Sequence, residues 1–400
     1  MAGGRGRQRG QVIVLFALLL PALLGLVGLA VDGGRLLAER RHLQAVADAA
    51  AWAAASEIVY GTPDNVAAVA DWYGRQNGEA SVTVSQPPTS GPYAGQAGYV
   101  SVQVDKTLTL TLMQILHPAP LAISARATAG PSPGPTPYGL LALSTTGGIS
   151  LTGTAGITVR NASAASNNTI AAGGSSSLTA DLLVTAARGI TGSATGLKGT
   201  RPNVGPIPDE FANLRAPGVP GSTVAGLSVT GNNQTLTAQP GHWTADLAIS
   251  GANNQVTLAP GVYYFDQGAS IHLTGGANSV VGDGVLIYLA AGSTISLAGG
   301  ANLQLTAPTT APYSGGAAGL VMFAARDNPS QIDLTGGATT SLTGTVYAPA
   351  GLVRLAGGSG GRLVHGQVVA GDIGMVGSTS LVVDFDPDMV AVQPRPTLLQ

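Results

Sequence analysis

The sequence predicts a mainly β protein: an N-terminal transmembrane helix continuing into an exported helix, a small α+β unit, and a C-terminal parallel β-helix, or solenoid. Three observations carry this. Val12 to Val31 is a run of 20 residues without a charge. A Pro/Gly stretch, Gly130 to Pro137, divides the chain. Beyond it, short apolar-alternating strings ending in Gly-Gly recur. The composition agrees. Of 400 residues, 44% are hydrophobic but only 4% aromatic, and 10% are charged, against roughly 25% charged in an average soluble protein. Such a chain buries small and β-branched side chains repetitively, or sits in lipid. A net charge of −2 excludes general attraction to nucleic acid, which needs a basic face. The absence of Cys excludes disulfides, a thiolate nucleophile and Cys-type metal sites.

At about 1.5 Å per residue, residues 12–31 span roughly 30 Å, the hydrocarbon thickness of a bilayer. Pro21 is tolerated in a transmembrane helix. Arg5, Arg7 and Arg9 precede the run, and the flank Asp32 to Arg41 is nearly neutral. The expected topology is therefore single-pass, with a short cytoplasmic N-terminus and the bulk outside. A cleaved signal peptide is the rival, but its apolar region is usually about 7–15 residues. Leu36, Leu37, Leu43, Val46 and Ala50 continue a helical stripe, and the alanine-rich stretch 45–55 has high helix propensity. One helix over 11–56 follows.

Three blocks in this region carry a resemblance: Arg9 to Leu18, Gly28 to Arg35, and Leu43 to Ala51. In this order they resemble the N-terminal domain of TadG-type Flp pilus-assembly proteins. The resemblance implies membrane anchoring and association with a tight-adherence pilus system. Pseudopilins cut by prepilin peptidase carry Glu five residues after the cleavage Gly. Here Leu15 stands in that place after Gly10, so processing is not implied.

Residues 57–129 read as a small α+β unit, much as in pilin-like subunits. A helix is expected over 64–73, strands over 80–84, 99–104 and 121–128, and 108–116 is ambiguous between the two. Residues 130–137 read as an extended linker, 138–387 as the solenoid and 388–400 as a tail.

Within the solenoid, Ile271-His272-Leu273-Thr274-Gly275-Gly276-Ala277 recurs at Ile295, Ile332, Val353 and, degenerately, Ile373, with an earlier copy at Ile149. The successive steps are 24, 37, 21 and 20 residues, the long one containing the insertion 306–316. A second string interleaves at Gly284-Val285, Gly319-Leu320, Gly344-Thr345 and Gly366-Gln367. Two short strands per period with glycine turns suit one coil of a parallel β-helix. Strand alternation points Ile271, Leu273, Ile295, Leu297, Ile332 and Leu334 inward, and His272, Ser296, Asp333 and Arg354 outward. Roughly 250 residues allow about ten to twelve coils, a rod of order 50 Å.

The candidate chemistry is sparse. Asp266 and Asp283 each adjoin a turn Gly and read as turn residues. His272 occupies an outward slot, and His365 reads as a strand-end residue. Asp384, Asp386 and Asp388 alternate as calcium ligands could, but the fuller EF-hand pattern is missing, so they read as an acidic strand exit. Gly357 to Gly361 reads as turns rather than a phosphate cradle, and no P-loop motif follows any glycine run, so no nucleotide is expected. Thr107, Thr109 and Thr111 read as a sheet face. The expectation is no catalytic residue, no metal and no cofactor. The expected partners are the lipid bilayer through residues 12–31 and other pilus-assembly or cell-envelope proteins. The favoured reading is a non-enzymatic, membrane-anchored protein presenting a β-solenoid for pilus biogenesis or adhesion. The alternative is a tethered carbohydrate-active β-helix enzyme, a lyase or hydrolase, which would need clustered carboxylates.

Overall fold

Helix α1, Arg9–Tyr60, runs unbroken for 52 residues through Pro21. It is a computed structural model that is described here, over residues 9–60, 65–78, 81–115, 118–131, 137–335, 340–355, 362–377, 380–392 and 396–399. The expected helix start at Asp64, most of the linker, the corner 336–338 and the glycine run 357–361 lie outside those residues. The chain divides into two compact units, 1–133 with 394–400, and 134–393.

In the first unit, the two halves of α1 differ in exposure. Ile13, Leu15, Phe16, Leu18, Leu23 and Leu26 are exposed, and the helix is long and apolar enough to cross a membrane. From Leu43 onward the helix is a packing element. Leu43, Val46, Ala47, Ala50, Ala51 and Ala54 are buried against Val100, Val102, Val104, Ala125, Ala127 and Ala129. Alanines at helical spacing let the axis approach the sheet closely. The expected stripe holds from Leu43, whereas Leu37 is exposed. Helix α2, Val66–Gln76, packs through Val66, Ala70 and Gly74.

The sheet orders strands Val82–Ser85, Val100–Leu108, Leu121–Pro131 and Pro396–Leu399, all antiparallel. The last strand comes from the segment expected to be a tail. Of the ambiguous stretch 108–116, Leu108 ends the second strand, 109–112 form a loop, Met113–Ile115 make one turn of 3-10 helix, and residue 116 lies outside the described residues.

The second unit is a β-solenoid of about 11 turns. Its coils have three strands rather than the expected two, so the cross-section has three sides. The Ile-x-Leu strings form one side, with Ile271↔Ile295, Ile332↔Val353 and Ile373↔Ile149 in parallel register. The second strings form another side. The third side, Gln255–Leu258, Ser279–Gly282 and Asn302–Thr306 in three successive coils, was missed. Its signal is plain in Val256-x-Leu258 and Leu303-x-Leu305, which alternate inward too. The expected inward residues, Ile271 through Leu334, are all buried, while His272, Ser296, Asp333 and Arg354 are half-exposed.

The corners combine left-handed backbone with buried amides. Gly275 has φ +86°, and a Cβ there would stand 1.9 Å from the Gly251 carbonyl oxygen. Ala277, not Gly276, takes the second left-handed position, as Asn253 and Asn233 do in neighbouring coils. Asn278 then accepts the Asn254 N–H at 2.9 Å and donates to the carbonyls of Gly251 and Thr274. Asn254 repeats this one coil away, accepting from Gln234 N and donating to Gly231 and Ser250.

Spatial order departs from sequence order. The stack starts with the coil at 223–238 and winds to strand Ser380–Asp384, which pairs with Gly156–Arg160. From there, coils built from 138–202 continue to the other end. The chain thus enters mid-stack, winds to one end, crosses back through 203–222, and winds again to the middle.

Candidate functional site

The crossover segment builds a second core outside the coils. Outward-facing aromatics on one side form a ladder from coil to coil: Tyr264 tilted against Tyr288 at 4.7 Å between centroids, Tyr288 edge-on to Phe323 at 5.3 Å, and Phe323 tilted against Tyr347 at 5.2 Å. Phe211 of the crossover packs on Tyr347 at 5.2 Å. Arg326 lies over the rings of Phe323 and Tyr347 and donates to the carbonyls of Phe211 (2.6 Å) and Leu214 (2.8 Å). The Tyr347 hydroxyl donates to Asp209 Oδ2 at 2.7 Å. Burial, then the facing Asp209 charge, holds that phenol well above its ordinary pKa, and burial pushes Tyr288 up to about 12. These tyrosines therefore act as apolar bodies with neutral donors. Asn167 clamps the start of the crossover, accepting from Ile207 N at 2.6 Å and donating to Ile207 O at 2.8 Å.

Ionisable groups converge at the mid-stack seam. His365 stands in register with Asp384, one coil apart. Its Nε2 is 3.2 Å from Asp386 Oδ2, and its Nδ1 is 3.8 Å from Asp384 Oδ2. Asp384 is 8% exposed and accepts Asn161 Nδ2 at 3.1 Å. Asn161, at φ +60°, also donates its N–H to Asp181. Two carboxylates facing one imidazole can hold a proton and pass it on. Sequence reasoning treated His365 and the acidic exit separately, and only coil register joins them. Asp388 does not join: its N–H donates to Asp386 Oδ1 in a turn, and Asp388 itself is exposed. Among the described residues no cluster of three or more His, Asp or Glu could hold a metal ion.

The remaining expectations resolve individually. Asp266 and Asp283 leave different sides of the coil and do not meet. Asp266 accepts from Gln267 N at 2.8 Å and faces His242 Nε2 at 3.0 Å. The Gln267 N–H, then His242, hold its carboxyl below the ordinary value. His272 is half-exposed, 3.8 Å from Asp246 Oδ2. Thr107 ends on a strand, but Thr109 and Thr111 lie in the following loop. There Asp32 of α1, itself 3% exposed, accepts the N–H groups of Thr111 (2.9 Å), Leu112 (2.8 Å) and Met113 (2.6 Å).

A long apolar helix on a small antiparallel unit, followed by a three-sided β-solenoid, defines the architectural class. Residues 10–57 match the family described as putative Flp pilus-assembly TadE/G-like. Residues 221–392 match a domain of unknown function, DUF7305. The second match begins just before the first strand of the stack and ends just past the seam, leaving coils 138–202 outside it. No curated protein and no solved structure matches the chain.

Proposed function

We propose that this chain is a non-enzymatic, membrane-anchored component of a Flp-type pilus system, displaying its solenoid outside the membrane for pilus biogenesis or adhesion. The observation that carries this reading is the TadE/G-like match over 10–57, which falls on the helix long and apolar enough to span a bilayer. The solenoid adds a rigid body whose neighbouring coils brace one another. One deletion with two readouts tests this role: remove the chain from its host, then count pili by electron microscopy and measure adherence. Unchanged pili together with unchanged adherence would sink the proposal.

One observation favours the second reading, a tethered polysaccharide lyase or hydrolase: the meeting of His365 with Asp384 and Asp386. Assaying acidic and neutral polysaccharides with the parent chain and with His365→Gln separates the two. Cleavage lost in the variant supports the enzyme.

A further inference from the structure

We propose that the loop 109–115 is a second membrane-contact element, inserted among lipid acyl chains in the interfacial layer where α1 leaves the bilayer. This rests on the membrane-anchored reading. Four observations converge on it. Gly28 lies three residues before the end of the uncharged run, about 5 Å below its boundary at 1.5 Å per residue. The loop touches α1 at that depth: a Cβ on Gly28 would meet Leu112 Cβ at 3.2 Å and Met113 Sδ at 3.7 Å. Leu112 is nevertheless 45% exposed, pointing its apolar surface away from the protein. No Asp, Glu, Lys or Arg occurs between Lys106 and Arg126.

The backbone agrees. Irregular backbone at membrane depth is tolerated only where its polar groups are satisfied by protein. The carboxylate of Asp32 satisfies three consecutive N–H groups, those of Thr111, Leu112 and Met113, and Arg35 Nη1 donates to Thr111 Oγ1. The first charged residue after the span is therefore not a free headgroup ligand but a clasp that holds the loop against the helix. Lipid is the occupant because exposed Leu112 packs at Gly28 among the exposed apolar side chains of the span, and the two charged groups at the contact, Asp32 and Arg35, are engaged with the loop itself.

The chain has no Cys, so single cysteines can report depth. Leu112→Cys and Gln114→Cys, labelled with an environment-sensitive fluorophore, are placed in the full chain in lipid nanodiscs. Leu20→Cys serves as the mid-span reference and Leu197→Cys, 82% exposed on the solenoid, as the aqueous one. The expected result is blue-shifted emission at Leu112→Cys, quenched by spin-labelled lipid at least about threefold more than at Leu197→Cys. Adding Asp32→Ala should abolish that quenching while Leu20→Cys stays quenched. Emission at Leu112→Cys like that of Leu197→Cys, with Leu20→Cys quenched, overturns the loop proposal alone. Loss of quenching at Leu20→Cys overturns the membrane reading beneath it. A blue shift without lipid quenching indicates contact with a second copy and overturns the lipid assignment.

Discussion

Asp384 lies in parallel register beside Arg160, and the Phe385 N–H donates to the Arg160 carbonyl at 3.1 Å. Residues near the two ends of the solenoid's chain are thus neighbours in the middle of its stack. The coils on either side of that seam are joined covalently only through the crossover 203–222. Trypsin cutting after the exposed Arg215 should therefore leave both fragments together. Co-elution of the nicked halves in size-exclusion chromatography checks this, and separation under native conditions would refute the seam.

Inward and outward positions of one strand should differ sharply. Leu297 is buried in the coil interior, so Leu297→Ala should cost about 2–5 kcal/mol. Half-exposed Ser296 should tolerate alanine within about 0.5 kcal/mol. Denaturant unfolding of the two variants gives the comparison, and equal losses would mean a register wrong by one.

Asn278 offers a test of corner chemistry. It is fully buried, and its Nδ2 faces two carbonyls. Asn278→Ala should cost about 1–3 kcal/mol through unsatisfied partners. Asn278→Asp should cost more, because a carboxylate would face those carbonyls without a donor. Thermal melts at neutral pH rank the two, and a milder effect from Asp than from Ala contradicts the hydrogen-bond assignment.

Asp266 links stability to pH. Its carboxyl is held below the ordinary value of 3.8 by the Gln267 N–H and His242. A carboxyl depressed in the folded state contributes stability that is fully present above its unfolded pKa, and loses it as pH falls through the folded value. The Tm difference between the parent and Asp266→Asn should therefore be largest near neutral pH and shrink below about pH 4. A difference constant down to the acid limit argues against the pairing.

Topology provides the broadest check on the proposed role. Protease added to intact spheroplasts should digest the chain beyond Gly33 and spare the short N-terminal stub. Protection of the solenoid would reverse the orientation and remove every surface role.

Legibility in the sequence followed the kind of physics involved. The membrane-length run and the alternation at Ile295-Ser296-Leu297 are local patterns, and both match the structure. The order of the coils is not local. Ile149, Ile295 and Ile373 present the same inward pattern, so periodicity names a side of the coil but not its neighbour. His365 and Asp384 were each visible, yet their meeting depends on that hidden order. Leu112 was unreadable for a different reason: its partner Gly28 and the clasp residue Asp32 lie on a distant helix.

The mid-stack arrival of both chain ends has a mechanical consequence. The solenoid's two covalent leads emerge from adjacent turns at its waist, and the later lead returns to a strand, Pro396–Leu399, that pairs with Leu121–Pro131. Tension applied through these leads cannot peel coils one by one from a free tip. It loads the seam first, where Ser380–Asp384 pairs with Gly156–Arg160. A load applied at either tip therefore crosses the coils between that tip and the seam before it reaches a lead.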